Sequence, residues 1–270
     1  MEHIIIPTLG RMDKQITYNN LPKKYQDKVT FVVQAHELEE MKKKYGSAVI
    51  GLPDSINRIA PTREWIFNKF RKYRHMVFDD DLLFVVKEPN PNEGTKWLTR
   101  KFTEQDFNDA FDLMNQWMDE GFVYGGLLPG SNVPDLKYWP YMDCQRVVTN
   151  VFYNGPKVPD NIEWDRCAAA EDLDVHLQLL TRGFKNRVSV KYMVSTSETN
   201  ADGGCSTWRT VEVHNEAQRK LAELWPNFVT LREKELTNGP WKGHIKLRTI
   251  IQHKKAYESS QTNSLENFFE

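Results

Sequence analysis

The sequence predicts an α/β protein built on a doubly wound, largely parallel sheet, and three observations predict it. Short apolar runs alternate with polar or helical-period segments through residues 1–85. Cues for helix starts and stops fall between those runs. An acidic triplet, Asp79-Asp80-Asp81, follows the fourth run inside "MVFDDDLLF". Open α/β sheets place their ligands outside the carboxyl ends of their strands.

Residues 3–7 and 29–34 read as short buried strands, with Leu38, Met41 and Tyr45 at helical spacing behind the second. Residues 48–53 are a third strand. Pro61 and Thr62 open a helix with Trp65, Ile66, Phe70 and Tyr73 on one face. Residues 76–78 are the fourth strand. The pattern then changes: 87–101, "KEPNPNEGTKWLTRK", reads as a loop. Thr103 and Asp106 have capping-box spacing and open a helix with Phe107, Phe111, Met114 and Met118 inward, closed by Gly121. Strands are expected at 122–128 and 146–154, with the aromatic loop "PGSNVPDLKYWPYMDC" between them. A helix follows "AAAED" with Leu173, Leu177 and Leu180 inward and Gly183 at its end. Then come a strand at 187–195, a loop "NADGGCSTWRT", and a helix carrying Val213, Ala217, Leu221 and Leu224, stopped by Pro226. The last strands are 228–232 and 245–251. The tail past Tyr257 is polar and is expected to fray. One domain over 1–258 is predicted, with halves 1–85 and 86–258 sharing one sheet and a polar tail at 259–270.

Composition narrows the function classes. The chain has 270 residues, 40% hydrophobic and 27% charged, an ordinary globular make-up. A net charge of −1 gives no global field toward nucleic acid or membrane. The three cysteines, Cys144, Cys167 and Cys205, form neither a disulfide framework nor a CxxC metal site, which favours a reducing compartment. No signal peptide or membrane span is expected, so the protein is placed in the cytoplasm, the host's if the chain is phage-encoded.

The triplet is the chemical signal. Carboxylates beside apolar surface need a compensating partner, and a turn, a set of arginines or a metal ion would each serve. Side-chain alternation would point Asp79 and Asp81 one way and Asp80 the other. Two converging carboxylates without histidine or thiolate suit a hard cation such as Mn²⁺ or Mg²⁺, commonly accompanied by a diphosphate. Glu171-Asp172 at a helix start either complements the helix dipole or supplies a general base. Local sequence does not separate those two readings.

An opening strand ending "PTLGR", a "DDD" after the fourth strand and an "ED" heading a later helix together resemble the GT-A glycosyltransferases. More narrowly, "LPDSINRIAPTREWIF", "MVFDDDLLF", "AEDLDVHLQLLTRGFKN" and "GGCSTWRT" are similar to phage glycosyltransferases associated with TET-type DNA hydroxylases. The resemblance implies a GT-A-like fold: a Rossmann-like nucleotide-binding half whose mixed sheet continues into an acceptor-binding half. It also implies transfer from a nucleotide-diphosphate sugar, a UDP-sugar foremost, to hydroxymethylated cytosine or uracil in DNA. On that basis Asp79 and Asp81 would hold Mn²⁺ or Mg²⁺, with His244, ahead of His214, as a third ligand. Pro7, Thr8, Gly10, Arg11, Asp54, Arg63, Asp80 and Arg209 would bind the nucleotide sugar, Arg63 approaching either the diphosphate or Asp79. Asp172, with Glu171 second, would deprotonate the acceptor; a base there implies direct displacement with inversion, but retaining enzymes share the fold and both outcomes stay open.

A DNA acceptor requires a local basic patch. From Arg232 to Lys255 there are seven cations against Glu233 and Glu235. Lys246 and Arg248, with the aromatic residues Trp139, Tyr141 and Trp208, are the expected acceptor contacts, the aromatics stacking on an extruded base. Three other readings stand beside this one: a glycan, lipid or protein acceptor; a metal-dependent phosphoryl transferase or nuclease; and a nucleic-acid-binding module without activity.

Overall fold

The computed structural model describes residues 1–92, 97–130, 135–147, 149–196, 204 and 208–266. Four parallel strands form the first half of the sheet: β1 (His3–Pro7), β2 (Val29–Val33), β3 (Val49–Gly51) and β4 (Arg74–Phe78), in the order β3-β2-β1-β4. Their consecutive apolar residues are divided between two cores. Ile4, Ile6, Phe31, Val33, Met76 and Phe78 face one side, and Ile5, Val32 and Val77 face the other. A strand apolar on every residue is stable only when both faces are covered.

The first face is covered by α3 (Leu38–Tyr45) and α5 (Glu104–Asp119), the second by α4 (Ile59–Phe70) and α6 (Glu171–Thr181). The short helices α1 (Ile16–Asn20) and α2 (Lys23–Gln26) lie between β1 and β2. Thr103 and Asp106 close the expected capping box at the start of α5.

The sheet continues past β4 through β9 (Asn150–Asn154), β7 (Tyr124–Pro129), β10 (Arg187–Thr196), β5 (Leu82–Pro89) and β6 (Trp97–Lys101), with β8 (Tyr141–Asp143) pairing β10. β9 runs antiparallel to β4 and β7, whereas β10 runs parallel to β7 and antiparallel to β5. This parallel half continued by a mixed half is the GT-A-like architecture that the resemblance implies. A third core of Leu173, Leu177, Leu180, Ala217, Leu221, Val229 and Ala256 holds α6 against α7 (Val211–Leu224), α8 (His253–Glu266) and the hairpin of β11 (Val229–Glu235) and β12 (Ile245–Ile251).

Two expectations need correction. Residues 87–101 are not wholly loop: Lys87, Glu88 and Pro89 pair with Thr99, Leu98 and Trp97. Prolines and asparagines mark the turn, but they do not forbid flanking edge strands. The tail does not fray from Tyr257, because α8 runs from His253 to Glu266 and buries Ala256 against α6. Cys144 and Cys167 are buried free thiols, and Cys205 lies outside the described residues. Among the described residues, no helix is long and apolar enough to cross a membrane.

Candidate active site

The carboxyl ends of β1 to β4 converge on a cavity of about 320 Å³. Pro7, Thr8, Leu9 and Arg11 line it after β1, Gln34 after β2, Leu52 after β3, and Asp79, Asp80 and Asp81 after β4. Asn57, Arg58, Ile59, Thr62 and Arg63, at and before the start of α4, close the far wall. A second cavity of about 660 Å³ adjoins the first. It is lined by Glu171 and Asp172 at the start of α6, by His214 and Gln218 of α7, by Arg146, and by Lys246, Leu247, Arg248 and Thr249 of β12. Ile59, Arg63, Asp79, Thr149, Trp208 and Arg209 line both cavities.

Arginines compensate the acidic triplet. β4 ends at Phe78 and the chain turns, so strict side-chain alternation does not continue through the acids. Asp80 and Asp81 share the Arg11 guanidinium, whose Nη1 donates to Asp80 Oδ1 at 2.6 Å and Asp81 Oδ2 at 3.2 Å. Thr8 Oγ1 donates to the other oxygen of Asp80 at 2.5 Å. Asp79 turns instead to Arg63, whose Nη2 donates to its Oδ1 at 3.2 Å. The same guanidinium donates through Nε to Glu171 Oε1 at 2.9 Å. One arginine therefore ties the end of β4 to the start of α6, and both cavities open beside it.

The backbone of the turn is held from two sides. Thr17 Oγ1 donates to the Asp79 carbonyl and accepts from Leu82 N at 2.9 Å. Thr17 N donates to the Asp80 carbonyl at 3.0 Å, and Asp79 N donates to the Thr149 carbonyl at 2.7 Å. Thr149 has φ +64°, a left-handed conformation that is costly for a β-branched residue. Such strained positions concentrate at functional sites.

Burial, opposed by Arg63 and reinforced by Asp81, Asp80 and Asp172, pushes the Asp79 carboxyl up to about 6. Burial and Asp172 also raise the Glu171 carboxyl, against the pull of Arg63. The two acids heading α6 have different roles. Glu171 is buried and bound to Arg63, whereas half-buried Asp172 faces the second cavity with Oδ1 accepting from Leu173 N at 2.8 Å. A third acid, Asp174, is purely structural: fully buried, it accepts from Arg166, Trp225 and Gln178.

Most sequence-predicted residues meet here: Pro7, Thr8, Arg11, Arg63, Asp79, Asp80, Asp81 and Arg209 at the first cavity, and Glu171, Asp172, Trp208, Lys246 and Arg248 at the second. Others do not. Gly10 lines neither cavity; its N–H donates to Glu37 Oε1 at 2.7 Å. Asp54 is exposed and outside both, and Asn57 and Arg58 occupy the wall expected of it. His244 is exposed on the turn before β12, because the hairpin carries it away from the carboxylates. His214 is the histidine on the second cavity, its Nε2 against the Leu247 carbonyl at 3.0 Å.

Trp139 and Tyr141 also lie elsewhere. Tyr141 pairs with Ser189 near the start of β10, whereas Thr196 at its end lines the first cavity. Seven residues of strand separate the two positions by about 20 Å. Arg187 packs over the Tyr141 ring, and Trp139 Nε1 donates to the Lys87 carbonyl at 3.2 Å. Both aromatics therefore serve their own sheet edge. Of residues 203–210, only 204 and 208–210 are described.

Sequence reasoning missed Thr17, Thr149, Arg146 and Gln218. Thr17 is a fully buried polar residue in a short polar segment, a signal that only burial makes visible. Arg146 and Gln218 reach the second cavity through long-range packing and carry no local signal.

The TET-Associated Glycosyltransferase family matches residues 2–204. The chain is similar to the "Beta-glucosyl-HMC-alpha-glucosyl-transferase" of Enterobacteria phage T6, with 25% identity over 232 residues that make up 84% of this chain and 82% of the relative. The protein of the same name from Enterobacteria phage T2 matches to the same extent. With the strand-end cavity, the clustered acids and the mixed sheet, this match over most of the chain shows that it belongs to the TET-associated glycosyltransferase family and is a glycosyltransferase.

Proposed function

We propose that the protein transfers a sugar from a nucleotide-diphosphate sugar, a UDP-sugar foremost, to a hydroxymethylcytosine nucleotide in DNA. The observation that carries this reading is the wall shared by the two cavities, where Asp79, Arg63, Thr149, Trp208 and Arg209 border both. A donor in the first cavity and an acceptor in the second would meet at that wall. The first cavity lies where open α/β sheets bind nucleotides. The second is the larger and combines a carboxylate, cations and Trp208, groups suited to a base swung out of DNA.

The carboxylates fit a hard divalent cation in charge and donor type. Asp79, Asp80 and Asp81 crowd one strand end beside Glu171 and Asp172, and after burial, with Arg63 opposing, the nearby Asp81, Asp80 and Asp172 add to the raised Asp79 carboxyl. Among the described residues, no group of three or more histidines, cysteines or acids is arranged to hold a metal. Asp79 and Asp81 would therefore hold Mn²⁺ or Mg²⁺ together with the diphosphate oxygens. When bound, such an ion supplies Lewis-acid neutralisation of the departing diphosphate.

The chain's own groups do the rest. Arg63 fixes Asp79 and Glu171 in place and opposes the burial that raises both carboxyls. Arg209 borders the place where the diphosphate would lie. Asp172 takes the proton from the acceptor hydroxyl, and Trp208 and Arg146 bound the acceptor on its flanks. A second reading of the acceptor is favoured by volume and by the relatives' name. The second cavity, about twice the first, has room for a base that already carries a hexose, and the attacked hydroxyl would then be the sugar's.

The test is incubation with Mn²⁺ and a panel of nucleotide sugars. Parallel reactions receive duplexes carrying cytosine, hydroxymethylcytosine or glucosylated hydroxymethylcytosine, and digested nucleosides are weighed. A gain of one sugar on either modified base, lost in D79N, supports the proposal. Transfer to free saccharides alone, or hydrolysis of DNA without sugar transfer, would overturn it.

A further inference from the structure

The hairpin of β11 and β12 carries a cross-strand register that does not favour folding. Arg232 stands directly opposite Arg248, and Lys234 directly opposite Lys246. Side chains two apart on a strand share a face, so all four cations project from one side of the ribbon. Like charges in directly opposed positions destabilise a strand pair. Among the described residues, none of the four side chains makes an ion pair or a hydrogen bond; the Lys246 ammonium lies over the Trp241 ring at 5.2 Å. Burial first, then Arg209, Arg248, Arg146 and Lys234, lowers the Lys246 ammonium, as mutual repulsion requires. The opposite face, through Val229 and Leu247, is buried against α7.

The charged face has a definite place in the molecule. Lys246 and Arg248 line the second cavity, and Arg232 and Lys234 lie one strand farther out, exposed, about 5 Å beyond. A row of cations therefore runs from the acceptor cavity onto the outer surface. The ribbon lies outside residues 2–204, the part of the chain that matches the family.

We infer that this face is a docking surface for the phosphate backbone of duplex DNA, with Arg232 and Lys234 gripping phosphates that flank the nucleotide held in the second cavity. The inference rests on the proposed DNA acceptor and adds the surface that carries the duplex. Polyanion binding would relieve the repulsion built into the register, and each neutralised phosphate would release condensed counterions. Because backbone contacts are blind to sequence, the ribbon is expected to bind modified and unmodified duplexes alike.

The experiment measures binding of the full-length protein to an unmodified 20-base-pair duplex across a salt series. It compares the wild type with R232T/K234T, which keeps strand-favouring side chains. Two lost phosphate contacts should lower the slope of log K against log salt by about 1.8 and weaken binding at low salt at least about tenfold. The thermal midpoint of the variant should equal or exceed that of the wild type, because the like-charge pairs are gone. An unchanged slope and affinity would overturn the inference. So would a lowered midpoint with unchanged affinity, which would make the cations structural. The two proposals fail separately. Wild type that binds duplex with this slope yet glycosylates no modified base overturns the proposed function and leaves the ribbon standing. A variant that binds like wild type while wild type transfers sugar does the reverse.

Discussion

Replacing Arg63 with methionine keeps the buried chain and removes the charge that joins Asp79 to Glu171. The Arg63 side chain is 12% exposed and that of Glu171 5%, so water replaces little of what is lost. Removing one partner of a buried ion pair commonly costs about 3–5 kcal/mol. Here the cost is bounded, because the stranded acids can protonate. With the Asp79 carboxyl already near 6, protonating it at pH 7 costs about 1.4 kcal/mol. A loss of about 3 kcal/mol is therefore expected at pH 8, which for a chain of this size lowers the midpoint by roughly 6–12 °C.

The sign of the pH dependence is the sharper part. Both carboxyls are raised above their unfolded values, so the folded state binds protons more tightly than the unfolded one. Their contribution to stability is fully present below the unfolded values, near 4, and is lost as pH rises through the folded ones. Without Arg63 the folded values rise further and that loss deepens. The deficit of R63M should therefore shrink to about 1 kcal/mol at pH 5.5. Thermal melts followed by circular dichroism at pH 5.5 and pH 8 read both numbers. A deficit equal at the two pH values, or none at pH 8, would refute the assignment of Arg63 as the shared counter-ion.

Three further outcomes are expected. D172N should reduce transfer at least about 100-fold while donor affinity, measured by calorimetry, stays within a factor of a few, since Asp172 lines the cavity proposed for the acceptor and not the one proposed for the donor. The proposed hold of Asp79 on Mn²⁺ requires its ionised form, so on that proposal metal affinity should fall as pH drops through about 6, approaching tenfold per unit, in a titration followed by metal-dependent fluorescence quenching. H244A should change neither the midpoint, within about 0.5 kcal/mol, nor the metal affinity, because the imidazole is exposed and borders neither cavity.

Much of the site was legible because its signals are local. The triplet after "MVF" lies at a strand end by its own apolar flank, and "ED" lies at a helix start by the leucine spacing that follows. "PTLGR" and "PTREWIF" likewise place Thr8, Arg11 and Arg63 at element ends that a parallel sheet must bring to one edge. The failures are those of side chains whose place depends on what packs against their element. His244 and Lys246 are two residues apart, yet the hairpin turn carries one into solvent while β12 brings the other to the cavity. Trp139 and Tyr141 read as stacking platforms until β8 pairs with the far end of β10.

The amino-acid order alone determined the parallel half-sheet, the strand end at which the acids sit and the capping box of α5. Those follow from apolar periodicity and from the conformational preferences of a few residues at a time. Only the tertiary structure decided that Arg11 answers Asp80 and Asp81 and that Arg63, expected near the diphosphate or Asp79, joins Asp79 to Glu171. It alone also set the opposed cations of the terminal ribbon. Pairing of charges depends on distance and burial, and both are fixed by contacts between segments 16 to 108 residues apart in the chain.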